Sequence, residues 1–84
     1  MNEIKIRSDA RISVGANIKR IRQSKGIRAY NLIREMQLQG LNINKQRYYK
    51  LEHDLANVFA SELVALSKLL AVDISEFFRP ETPE

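Results

Sequence analysis

The residues with the clearest chemical potential lie in one run, 43–52, with the sequence INKQRYYKLE. Asn44 is a favourable N-cap, because its side chain can accept a hydrogen bond from an amide of the next turn. Ile43, Tyr48 and Leu51 can share the inner side of the helix, since residues three and four apart lie on one face. Five basic, amide and aromatic side chains are left outside: Lys45, Gln46, Arg47, Tyr49 and Lys50. A DNA major groove accepts such a helix, whose Lys, Arg and Gln can bond to base edges. An ordinary amphipathic surface helix is the alternative.

The charges are unevenly distributed along the 84 residues. Residues 1–50 carry twelve basic and three acidic side chains, whereas residues 51–84 carry two basic and seven acidic ones, and the net charge is +4. This separation fits one face turned towards a polyanion and another turned away from it. Two independently solvated surfaces are the alternative.

Composition limits the classes of function. There is no cysteine and His53 is the only histidine, so we expect no disulfide, no metal site and no cofactor. His53 lies beside Asp54, but consecutive residues rarely form a catalytic pair, and no glycine-rich phosphate loop is present, so we do not expect an enzyme. The absence of a long apolar run and of a signal-like N-terminus predicts a cytoplasmic protein without membrane contact.

Apolar periodicity predicts five short helices, without a convincing strand pair. In the N-terminal arm, Ile4 and Ile6 alternate with Lys5 and Arg7, which predicts either a short extended strand or a disordered basic tail. The first helix is capped by Asp9 or Ser13 and runs to about Ser24, and the others are expected at about 28–37, 44–52, 60–71 and 73–79. Five short helices in one chain of this size predict an all-α, five-helix bundle. Helices two and three, joined by a turn containing Gly40, form a helix-turn-helix unit. We therefore expect a basic arm at 1–12, the helix-turn-helix domain at 13–79 and a tail at 80–84.

Three segments of the chain resemble the lambda-repressor-like (Cro and xenobiotic-response-element type) family of helix-turn-helix transcription regulators. They are 14–26 (VGANIKRIRQSKG), 49–52 (YKLE) and 62–78 (ELVALSKLLAVDISEFF). These segments are similar to the family's first helix, the end of its recognition helix and its last two helices, in the same order and spacing. The resemblance implies a sequence-specific regulator that reads the major groove of double-stranded DNA with helix three.

The resemblance also implies roles for individual residues. Three positions of helix three match the family's base-reading side chains: Lys45, Gln46 and Lys50. Two neighbouring residues are expected to contact bases or the DNA backbone: Arg47 and Tyr49. An ion pair between helices one and three is implied for Arg22 and Glu52.

Three features depart from the family's usual pattern. The turn at 38–42 is longer than its commonest form. Arg28 and Ala29 stand where helix two usually has a hydroxyl cap and a phosphate-binding glutamine, which leaves Arg28 as the expected backbone contact. The loop after helix three, 53–58, contains no lysine or arginine, although this loop is often basic in the family. Fewer phosphate contacts imply weaker DNA binding, or binding that needs a dimer or another partner.

Two further partners follow from these observations. One recognition helix reads only a few bases, so we expect a homodimer on paired half-sites, with Phe77 and Phe78 as its seam. Neighbouring helical residues point about 100° apart, so one of these rings can be buried while the other is exposed. The alternative to DNA binding is a protein-interaction module of the same fold, an antitoxin or a regulator that binds a protein.

Overall fold

The computed structural model describes residues 5–6, 8 and 11–80. Its elements in chain order are β1 (Lys5–Ile6), α1 (Val14–Ser24), α2 (Ala29–Leu38), α3 (Lys45–Glu52), β2 (Val58–Phe59), α4 (Ala60–Leu70) and a 3₁₀ helix (Ile74–Phe78). The described chain is mostly helical and fits the all-α class expected from the sequence. None of its helices is both long enough and apolar enough to span a bilayer.

Parts of the expected arm and tail lie outside the described residues, namely 1–4, 7, 9–10 and 81–84. Asp9, one of the two expected caps of the first helix, is among them. Within the described part, the expected lack of a strand pair is wrong. β1 and β2 pair in antiparallel fashion, with Lys5 opposite Phe59 and Ile6 opposite Val58. β1 lies where the alternation of the arm allowed a short strand, whereas the two residues of β2 are too few to carry an alternating pattern.

Local chemistry marks several of the helix ends. Ser13 caps α1 by accepting a hydrogen bond from the amide of Ala16, and Asn44 caps α3 by accepting one from the amide of Arg47. Gly26 follows α1 with a φ of +69°, a left-handed conformation that glycine adopts without strain. α2 begins after Arg28 without a side-chain cap. The fifth helix is a short 3₁₀ helix, capped by Asp73.

The core lies among the five helices: α1 contacts α3, α4 and the 3₁₀ helix, and α2 contacts α3 and α4. Thirteen buried apolar side chains form it: Val14, Ile18, Ile21, Leu32, Met36, Ile43, Tyr48, Leu51, Val58, Leu63, Leu66, Leu70 and Phe77. Since every helix contributes to this one cluster, the position of α3 is fixed by the whole domain.

The expectation that Phe77 forms a dimer seam is wrong. Its side chain is fully buried in the monomer, and Asn17 Nδ2 donates hydrogen bonds of 2.9 Å to the carbonyl oxygens of Phe77 and Arg79. These bonds tie the end of the 3₁₀ helix to α1. Phe78 is half-buried against the same core, so only part of its ring remains accessible to a partner.

Candidate nucleic-acid interface

The outer face of α3 consists of Lys45, Gln46, Tyr49 and Lys50, all of which are exposed. None of them forms an ion pair with another residue in the described part of the chain. The Tyr49 ring stacks on His53, with 3.9 Å between ring centroids, and His53 Nδ1 lies 2.8 Å from the carbonyl oxygen of Tyr49. The outer face therefore presents two free ammonium groups, an amide and an aromatic stack to solvent.

The inner face of α3 consists of Tyr48, Leu51 and Glu52, all of which are buried. Arg22 of α1 pairs with Glu52 in a bidentate arrangement, with Nε 2.7 Å from Oε2 and Nη2 3.2 Å from Oε1. The Tyr48 hydroxyl donates to the same carboxylate at 2.5 Å. The resemblance implied an ion pair between Arg22 and Glu52, and the structure contains this pair in one buried network with Tyr48.

The inner network has clear electrostatic consequences. Burial, together with the hydrogen bond to Glu52, raises the pKa of the Tyr48 hydroxyl far above its ordinary value, so that the hydroxyl stays protonated and remains a donor. The hydrogen bond to Glu52 raises the pKa of Arg22 against the opposing effect of burial. Arg22 Nη1 also donates to the carbonyl oxygen of Ile27 at 2.9 Å, which links α3 to the segment that begins α2.

The expectation that Arg47 projects outwards to bases or phosphates is wrong. Its guanidinium pairs with Glu62 of α4, with Nε and Nη2 2.7 and 2.8 Å from the carboxylate oxygens. Nη2 also donates to the carbonyl oxygen of Asn57, and the guanidinium carbon lies 4.5 Å from the centroid of the Phe59 ring. The buried carboxylate of Glu62 requires a cation, and Arg47 is close enough to supply it. A helical wheel of α3 alone cannot predict that Glu62, a residue of α4, pairs with Arg47.

The loop after α3 has a structural role that the sequence analysis did not assign. The Asp54 carboxylate accepts hydrogen bonds from the Ser8 hydroxyl at 2.6 Å, the Ser13 hydroxyl and the Gly15 amide at 2.9 Å. Partial burial acts to raise its pKa, but the bonds from Ser13, Ser8 and Gly15 prevail and lower it below the ordinary value. Asp54 thus adds a negative charge to the N-terminus of α1, where the helix dipole favours one.

Gly15 allows this loop to approach α1. A Cβ atom at position 15 would lie 2.3 Å from the carbonyl oxygen of Leu51 and 2.9 Å from the carbonyl carbon of Glu52. No side chain fits between the two backbones there. The glycine therefore sets the contact between the start of α1 and the end of α3.

A groove of about 550 Å³ lies between α2 and the start of α3. Six residues line it: Ala29, Tyr30, Ile33, Arg34, Gln37 and Lys45. Gln37 Nε2 donates to the carbonyl oxygen of Ile43 at 2.8 Å and thereby fixes the long turn between the two helices. Arg28 is exposed at the beginning of α2. The sequence analysis did not single out Tyr30 and Arg34, although their spacing of four residues places them on one side of α2.

The described residues contain no cluster of histidine, cysteine or acidic side chains that would bind a metal ion. In comparisons with known proteins, no family model, no curated protein and no solved structure matches the chain.

Proposed function

We propose that this protein is a sequence-specific DNA-binding transcription regulator whose α2 and α3 form a helix-turn-helix unit. The observation that carries the proposal is the outer face of α3, with four exposed basic, amide and aromatic side chains that form no ion pair within the described residues. A helix with such a face fits the width of a major groove.

Three side chains of the outer face and one residue at the beginning of α2 have specific chemical roles in the proposal. Gln46 can bond to an adenine through two hydrogen bonds, because its amide carries both a donor and an acceptor. Lys45 and Lys50 donate to the acceptor atoms of guanine. Arg28, at the exposed beginning of α2, pairs with a phosphate of the DNA backbone.

The placement of the acidic side chains near α3 supports the proposal. Glu52 is buried and paired with Arg22, and Glu62 is buried and paired with Arg47. Asp54 is exposed but is held by hydrogen bonds at the N-terminus of α1. The field over the outer face is therefore dominated by its two lysines.

The proposal includes a two-fold homodimer, because one helix contacts too few bases to define a site. Because Phe77 is buried in the monomer, we assign the seam of the homodimer to Phe78 and to Ile74, which is 38% exposed. Sedimentation of the protein alone and with a paired-half-site duplex tests this assignment. A monomer in both samples at high protein concentration contradicts the dimer.

The decisive experiment is a binding titration with fluorescent duplexes at low salt. Candidate sites come from selection out of a random-sequence duplex pool and from the DNA upstream of the protein's own gene. We expect the selected site to bind about a thousandfold more tightly than its scrambled version. Lys45→Ala should weaken binding, whereas the control Lys68→Ala, an exposed lysine of α4, should not. If no duplex binds, DNA recognition is excluded and the protein-interaction module becomes the function to test.

A further inference from the structure

We infer that the groove between α2 and α3 holds a sugar–phosphate segment of the DNA backbone, with Tyr30 against a deoxyribose and Arg34 on a phosphate. The inference rests on the proposed function and extends the contact surface to two residues of α2. It concerns affinity for any sequence, because backbone contacts carry no base information.

The groove has an apolar floor and a cationic rim. Ala29 and Ile33 lie one turn apart on α2 and are half-buried, so they form the floor. Tyr30 and Arg34 lie one turn apart on the adjoining side of the helix, and both are exposed. Lys45 closes the groove from α3. Because Lys45 also belongs to the outer face of α3, the groove continues the proposed DNA surface without a break.

Charge complementarity identifies an anionic occupant. Arg34 and Lys45 have no acidic partner among the described residues. Glu35, the acid next to Arg34 in the sequence, is not part of the groove lining. Two unneutralised cations at one groove attract an anion, and Arg in particular bonds to phosphate through two parallel N–H groups.

The apolar part of the groove indicates that the occupant is more than a free anion. The Tyr30 side chain is 71% exposed, and its ring makes no aromatic contact with another described residue. A nucleic-acid strand alternates apolar sugar faces with charged phosphates, which matches an aromatic ring followed by a guanidinium one helical turn away. Ala29 leaves the groove open at its floor, since its side chain is a single methyl group.

The first test compares Arg34→Ala with the matched control Arg20→Ala. Both remove one exposed arginine, and Arg20 lies beside Asn17, which contacts the distant 3₁₀ helix. We expect Arg34→Ala to weaken selected and scrambled duplexes alike, by about five- to tenfold, and to reduce the salt slope by about one unit. Arg20→Ala should stay within twofold of the wild type. Equal effects of the two substitutions overturn the inference, because they would reflect net charge alone.

The second test locates the phosphate and the sugar. Duplexes with single methylphosphonate linkages remove one backbone charge at a time. One linkage should weaken the wild type but leave Arg34→Ala unchanged, which is the coupling expected of a direct contact. Tyr30→Ala should weaken binding severalfold, whereas Tyr30→Phe, which keeps the ring, should bind as the wild type does. Loss in both Tyr30 variants contradicts ring packing.

The outcomes separate this inference from the proposed function. If the wild type binds duplexes but Arg34→Ala binds equally well, the groove is empty in the complex and only this inference fails. If the wild type binds no duplex, both fail. A third outcome is that inorganic phosphate at millimolar concentration competes with the duplex while the methylphosphonate linkages have no effect. That result would identify a site for free anions and would also overturn the inference. Thermal unfolding of each variant verifies that the domain remains folded.

Discussion

The two faces of α3 contrast sharply although the helix has only eight residues. On the inner face, Tyr48 and Glu52 are buried and every polar atom has a partner. On the outer face, Tyr49 and Lys50 follow directly in the sequence and are exposed. A buried carboxylate without partners would cost several kcal/mol, whereas exposed polar groups are satisfied by water. The contrast indicates that the inner face fixes the helix and the outer face is available to a ligand.

The boundary between the two faces is set by α4. Arg47 would belong to the outer face by helical geometry, but Glu62 binds it at the side of the domain. Glu62 also accepts a hydrogen bond of 2.8 Å from the amide of Phe59, at the beginning of α4. One carboxylate thus caps α4 and holds α3. The face available for recognition is narrower than the helix alone would offer.

Among the substitutions that distinguish the two faces of α3, loss of the Glu52 carboxylate on the inner face should reduce stability most. Glu52→Gln leaves the Arg22 guanidinium, whose side chain is 13% exposed, without its charged partner. We expect the free energy of unfolding to fall by about 3 kcal/mol, as measured by urea denaturation. The matched control is Glu76→Gln, which breaks the exposed 3.4 Å pair with Arg79 and should cost less than about 1 kcal/mol. Equal denaturation midpoints for the two variants would show that the buried pair has no special role.

Gly15→Ala tests the contact between α1 and the end of α3, because the contact and helix propensity predict opposite changes in the free energy of unfolding. Helix propensity alone predicts that alanine stabilises α1 by about 0.5–1 kcal/mol. The contact of 2.3 Å between the added Cβ and the carbonyl oxygen of Leu51 predicts a loss instead, of about 1–3 kcal/mol. Calorimetric unfolding distinguishes the two. A rise in melting temperature would mean that the backbones separate at little cost.

Gln46→Ala should change recognition without changing stability. We expect a loss of about 1–3 kcal/mol on the preferred duplex and relaxed selection at one base position. Arg28→Ala should weaken all duplexes alike and reduce the salt slope by about one unit. Titrations against selected and scrambled duplexes at several salt concentrations measure both effects. An unchanged ratio of selected to scrambled affinity in Gln46→Ala would exclude base reading by this residue.

The Asp54 carboxylate should make stability depend on acid pH. Its pKa is lower in the folded than in the unfolded chain, so its contribution is present above the ordinary value of 3.8 and is lost as the pH falls through the folded pKa. We expect Asp54→Asn to cost about 1 kcal/mol at pH 7, as for loss of a helix cap, and less at low pH. Melting temperatures from pH 2 to pH 7 for both proteins provide the test. Parallel curves would contradict the assignment.

The smallest effect is expected on the outer face. Tyr49→Ala removes a ring that is 56% exposed and should change the free energy of unfolding by less than about 0.5 kcal/mol. Tyr48→Phe removes only a hydroxyl, yet it should cost about 1–2 kcal/mol because the Glu52 carboxylate loses a buried donor. Chemical denaturation of this neighbouring pair compares the two faces directly. A larger loss of stability in Tyr49→Ala than in Tyr48→Phe would contradict the assignment of the inner and outer faces of α3.

The sequence contains enough information for the helices and for much of the inner face. Asn44 and Ser13 act through bonds within one turn, so the caps of α3 and α1 are local and predictable. The spacing of Tyr48 and Leu51 places both on one side of α3 whatever surrounds it. The outer positions of Lys45, Gln46 and Lys50 follow from the same periodicity. These features depend on residues that are neighbours along the chain.

Other features depend on partners that are distant in sequence. The Phe77 ring packs in the core and its carbonyl oxygen accepts a hydrogen bond from Asn17, 60 residues earlier, whereas Phe78 beside it has a partly exposed ring. The β1–β2 pair depends on β2, a segment of two residues that carries no strand pattern of its own. The groove at Arg34 is lined by residues of α2 together with Lys45 of α3, which the turn separates in sequence. Local spacing allows one of the two phenylalanine rings to be buried, but it does not identify which partner each of these segments contacts.

The sequence by itself determined the all-α class, the helix ends and the side chains that one face of α3 offers, because helical periodicity and capping act over a few residues. Only the tertiary structure decided that Arg47 pairs with Glu62 and that Asp54 accepts a hydrogen bond at the N-terminus of α1. Burial of a charge demands a partner from whichever element packs nearby. The partner of a buried charge therefore depends on how the helices pack against one another, which the pattern within a single helix does not specify.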